Sequence, residues 1–83
     1  VRVEREMVLI KVDAPKDSRS EIYRISKIFR AKVVDLSAKT YTLELTGDIE
    51  KVSAFIEMLS QFGIKEIART GTVALARENK KNK

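Results

Sequence analysis

Four β-rich segments, two helical stripes and a link of two residues between the middle strands predict an α+β fold. The order β-α-β-β-α-β is the split βαβ, or ferredoxin-like (ACT-like), arrangement: a four-stranded antiparallel sheet with two helices on one face. Right-handed crossovers and the short hairpin leave few other topologies. Eighty-three residues suit one such domain, expected over residues 1–77, followed by a basic disordered tail over 78–83.

Each element has its own signal. Met7–Asp13 is β-rich, with Val8, Ile10 and Val12 on one face and Met7, Leu9 and Lys11 on the other. Ala14-Pro15-Lys16-Asp17 turns the chain, and Ser18 three residues before Glu21 predicts a capping box. Ile22, Ile25, Ile28 and Phe29 then form one helical stripe that ends near Arg30, a cation suited to a helix C-terminus. Ala31–Ser37 reads as the second strand, and Ala38-Lys39 links it to the third. In that third strand Tyr41, Leu43 and Leu45 alternate with Thr40, Thr42, Glu44 and Thr46. Gly47 breaks it and Asp48 is a natural N-cap. Ile49, Val52, Phe55, Ile56, Leu59 and Phe62 line the second helix, with Gly63 placed to stop it. The last strand is expected from Ile64 to about Arg77, bent or bulged at Gly71.

Only one face of such a sheet is covered by its own helices. Val8/Ile10/Val12, Val34/Leu36 and Tyr41/Leu43/Leu45 are expected to face them. The bare face then carries Met7, Leu9, Val33, Thr42 and Glu44. Burying a large apolar side chain is worth roughly 1.5–3 kcal/mol, so Met7, Leu9 and Val33 mark an expected interface with another domain or subunit.

Composition removes most chemistry. The chain has no cysteine and no histidine. Disulfides, thiolate nucleophiles, imidazole ligands and Ser-His or Cys-His couples are therefore excluded. Gly47, Gly63 and Gly71 cannot form a phosphate-binding loop. Asp48 and Glu50 read as a helix start, with an N-cap and a dipole-favoured acid. With 43% hydrophobic and 35% charged residues, the chain can still build a core. The net charge of +5 is concentrated at the end, where Arg77–Lys83 holds four basic residues and one acid. RNA binding through the bare sheet is not expected, because Tyr41 alternates with core leucines and no aromatic platform remains. No apolar run approaches a membrane span and no signal peptide is visible, so the expectation is a cytoplasmic piece of a longer polypeptide. Arg69, next to Thr70-Gly71, is a candidate polar contact at an interface.

Glu4–Val12, Ile28–Asp35 and Gly63–Gly71, with Thr46-Gly47-Asp48 and Ala54-Phe55-Ile56-Glu57 between them, together resemble a known family. It is the C-terminal domain of the regulatory small subunit of acetohydroxyacid synthase, also called acetolactate synthase. The resemblance covers about Val3 to Arg77. It implies a non-catalytic protein of valine, leucine and isoleucine biosynthesis that activates a catalytic subunit and supports feedback control. The catalytic partner would use thiamine diphosphate, Mg2+ and FAD, with no cofactor, metal or effector site in this chain. A homodimer is implied, with no nucleic-acid or membrane partner. In that family valine binds an N-terminal ACT domain, which this sequence lacks. The alternative is a free-standing ACT-like amino-acid sensor, which would hold its ligand at the loop after the first strand. Pro15 there is followed by Lys16-Asp17 instead of glycine, which hinders close backbone approach.

Overall fold

The computed structural model describes residues 2–71 and 73–76. Its elements are β1 (Arg2–Asp13), α1 (Arg19–Phe29), β2 (Lys32–Leu36), β3 (Thr40–Gly47), α2 (Ile49–Ser60), β4 (Ile64–Arg69) and β5 (Val73–Ala76). The sheet runs β2-β3-β1-β4 with antiparallel pairs throughout, and β5 also pairs β1. This is the ferredoxin-like βαββαβ arrangement. The expected basic tail lies outside the described residues.

Strand alternation sets the core. Val8, Ile10 and Val12 of β1 lie beside Leu45, Leu43 and Tyr41 of β3, and all six are buried. The helices close over them with Ile22, Ile25, Val52, Phe55 and Leu59, all buried as well. The Phe29 and Phe55 rings meet at 5.1 Å, which joins α1 to α2. Asp48 caps α2 as expected, its carboxylate accepting from the Lys51 amide at 2.8 Å.

Three local readings are corrected. The capping box does not form: Ser18 has φ −104° and ψ −6°, already helical, and makes no side-chain cap bond. A short 3-10 turn over Lys16–Ser18 leads into α1 instead, so the extended geometry of an N-cap is never adopted. Glu21 pairs with Arg24 at 2.7 Å. The first strand begins at Arg2, five residues earlier than expected, because Arg2–Arg5 find partners in β5. The last strand is interrupted: between Val8↔Arg69 and Arg5↔Val73, β1 advances three residues while the opposing segment advances four. Gly71, at φ 81°, sits in that interruption, as the expected bend required.

The fourth correction concerns β2. Its register with β3 shifts between Val33 and Asp35. Val33, expected on the bare face, lies opposite Leu43 and packs against the core. Val34, expected toward the helices, is exposed, and Leu36 is largely exposed opposite Tyr41. A one-residue slip exchanges the two faces of a strand, and a bulge does so within it.

Candidate interaction surface

Residues that alternate with the core of β1 build the bare face. Met7 lies opposite Thr46, Leu9 sits between Glu44 and Ala68, and Lys11 sits between Thr42 and Glu66. Leu9 is 38% exposed in the middle of the sheet. Beside it is a recess of about 230 Å³ lined by Arg5, Glu6, Met7, Thr46 and Thr70. Thr70 fixes its wall: its amide donates to the Met7 carbonyl at 3.0 Å, and its hydroxyl oxygen accepts from the Met7 amide at 3.1 Å. The structure thus brings Met7 and Leu9 together on one face.

Val33 and Arg69 are not part of that face. Val33 belongs to the helix side, as above. Arg69 lies opposite the buried Val8, and its guanidinium forks onto Glu6, with Nε to Oε2 at 3.0 Å and the second nitrogen to Oε1 at 2.8 Å. The polar contact Arg69 makes is therefore internal. Sequence reasoning missed Glu6, although a signal existed. Glu6 shares parity with Val8, Ile10 and Val12, so a carboxylate on the core side of β1 required a cation.

The hydrogen bonds from Arg69, reinforced by its charge and opposed by desolvation, hold the Glu6 carboxyl below its ordinary range. The reciprocal bond raises Arg69 further above its already high value. A depressed folded pKa adds stability above the unfolded glutamate value of about 4.3, and that stability disappears as pH falls through the lower folded value. Denaturation midpoints of the parent are thus expected to fall more steeply below about pH 4.5 than those of Glu6→Gln. Parallel pH profiles for the two chains would refute this assignment.

At the other end of β1, the loop to α1 is closed by its own bonds. The Ala14 amide donates to the Lys39 carbonyl at 2.7 Å, and the Ser18 amide to that of Pro15 at 2.8 Å. Arg19 donates from Nε to the Ala14 carbonyl at 3.0 Å and from a terminal nitrogen to the Ser37 carbonyl. Its guanidinium also lies 4.9 Å from the centre of the Tyr41 ring. An open recess of about 400 Å³ nearby is lined by Asp13, Pro15, Lys39 and Phe62. Among the described residues no group of three His, Cys, Asp or Glu is placed to hold a metal ion. No helix among them is long and apolar enough to cross a membrane.

These features define a ferredoxin-like domain that exposes one face of its sheet and two open recesses among the described residues. A family model described as the small subunit of acetolactate synthase matches residues 5–78, and the chain belongs to that family. The acetolactate synthase small subunit of Aquifex aeolicus is 60% identical over 77 residues, covering 92% of this chain and 40% of that protein. The Bacillus subtilis small subunit is 51% identical over 75 residues, covering 90% of this chain and 44% of its own length. A crystal structure of the small subunit from Thermotoga maritima superposes with TM-score 0.85 at 49% identity, over 92% of this chain and 47% of that one. The chain thus spans less than half the length of these relatives.

Proposed function

We propose that these residues act as the C-terminal domain of an acetohydroxyacid synthase regulatory subunit in valine, leucine and isoleucine biosynthesis. The observation that carries the reading is family membership across residues 5–78, nearly the whole chain. The domain works by binding: it packs against the catalytic subunit, favours its active form and pairs with a second copy of itself. A partner that binds the active conformation more tightly shifts the population toward it, so no catalytic group is needed here. Thiamine diphosphate, Mg2+ and FAD belong to the catalytic partner in this reading, and the setting is the cytoplasm. Effector recognition is assigned to the ACT domain of the family and not to the residues described.

The amino-acid sensor alternative is less well supported. The Ala14 and Ser18 amides of the loop that would hold a ligand already donate within the chain. Arg19 occupies two further carbonyls around it.

The test is a titration of the chain into purified acetohydroxyacid synthase catalytic subunit, following acetolactate formation with and without valine. A saturable rate increase that valine leaves unchanged is expected. No change at high excess, in a chain shown to be folded, would overturn an activating role for this segment. Saturable calorimetric binding of valine by the chain alone would favour the sensor.

A further inference from the structure

Arg30 follows the last residue of α1 with φ 62° and ψ 37°, in the left-handed region, and is the one non-glycine residue there among the described residues. Its amide donates to the Lys27 carbonyl at 3.1 Å, and the Ala31 amide to that of Ser26 at 2.8 Å. Those two backbone bonds stop the helix, and glycine forms both without a Cβ penalty. The arginine side chain adds nothing to the stop. The hydrogen bonds and ion pairs among the described residues leave its guanidinium without a partner. It lines a third, smaller recess of about 180 Å³ together with Lys32, Glu44 and Thr46. We infer that this recess receives a carboxylate side chain of the catalytic subunit, with Arg30 as the residue that selects it.

Charge and exposure choose that occupant. Arg30 and Lys32 against Glu44 leave one positive charge in the recess, which suits a single carboxylate better than a phosphate dianion. The Thr46 hydroxyl adds a donor. An open ion pair is worth little by itself, so a free small acid would be held poorly there. A carboxylate carried on a protein surface brings further contacts with it. Ile28 supplies one: it lies on the last turn of α1, two residues before Arg30, and at 69% it is the most exposed large apolar side chain among the described residues. An apolar anchor beside a charged contact is the usual makeup of a protein interface. A left-handed arginine whose side chain has no internal use is strain kept for an external contact.

This contact rests on the catalytic-subunit reading above, and the experiment separates the two. Parent, Arg30→Gly and Arg30→Lys chains are titrated into purified catalytic subunit, following acetolactate formation, and each chain alone is unfolded in urea. Arg30→Gly is expected to unfold at the parent's urea concentration or above it, since the left-handed backbone is then unstrained. It should nevertheless need about tenfold more chain for half-maximal activation. Arg30→Lys keeps the charge on the same backbone and should stay within about threefold of the parent. A merely structural arginine would lower stability and activation together. Equal activation by the parent and Arg30→Gly would overturn the contact and keep the activating role. A loss in Arg30→Lys as large as that in Arg30→Gly would remove charge as the cause and overturn carboxylate recognition. A parent that is folded and never activates would overturn both readings.

Discussion

Phe55→Ala should remove most of the stability of this domain. Phe55 is fully buried on α2, directly over the β1–β3 strands, and it ranks first in volume among the fully buried side chains. Its ring sits 5.1 Å from that of Phe29 at a 49° tilt, so truncation removes an aromatic pair as well as apolar area. Phe→Ala in a core costs about 3–5 kcal/mol. A small domain has roughly 5 kcal/mol in total, near the bottom of the usual range. Urea denaturation followed by circular dichroism is therefore expected to find the variant largely unfolded at 25 °C or close to its midpoint. Met58, three residues on and 42% exposed, provides the comparison. Met58→Ala should change stability by less than about 0.5 kcal/mol, as surface substitutions do. If the two variants unfold at similar denaturant concentrations, the orientation of α2 is wrong.

That orientation was legible because several signals agreed. The stripe through Val52, Phe55 and Leu59, the Asp48 cap and the Gly63 stop all placed the same helix with the same inner face. β3 was equally clear, since strict alternation at Tyr41, Leu43 and Leu45 admits only one buried side. β2 was not legible, and the cause is physical. Val33, Val34 and Leu36 are all apolar, so composition could not fix the phase of a five-residue strand. The bulge between Val33 and Asp35 reverses parity partway along it. At an edge the penalty for a mistaken phase is small, because Val34 and Leu36 remain exposed in the folded chain.

The surface was half legible for related reasons. Met7 and Leu9 followed from their parity against Val8 and Ile10, and they do share the bare face. The recess beside them did not follow, because Thr46 on β3 and Thr70 just after β4 reach Met7 from segments remote in sequence. Arg69 was singled out for its neighbours Thr70 and Gly71, whereas its role comes from Glu6, a contact across 63 residues. Local patterns disclose which side of a strand is buried. Which partner satisfies a charge there depends on the register of the whole sheet, and β4 acquires its register only by pairing with β1.

Gly63→Ala is expected to be the more damaging of two superficially equivalent glycine substitutions. Gly63 and Gly71 both adopt positive φ, at 96° and 81°. A side chain in this region costs about 1–2 kcal/mol from its own backbone. Their surroundings differ. A Cβ at Gly71 would meet nothing within 4 Å, but at Gly63 it would stand 3.1 Å from a carboxylate oxygen of Asp13. The Asp13 backbone is held there by its amide, which donates to the Gly63 carbonyl at 2.8 Å, and its half-exposed carboxylate lies 3.7 Å from the Lys65 ammonium. The methyl group requires the Asp13 carboxylate to give by a few tenths of an ångström at the end of β1. Gly71→Ala is thus expected to cost only the backbone penalty, while Gly63→Ala loses roughly 2–3 kcal/mol through strain and displacement together. Asp13→Ala combined with Gly63→Ala removes the obstacle. In a double-mutant cycle by urea denaturation, the pair should lose less than the sum of the two single changes. Strict additivity would place the cost of Gly63→Ala wholly in its backbone and rule out the contact with Asp13.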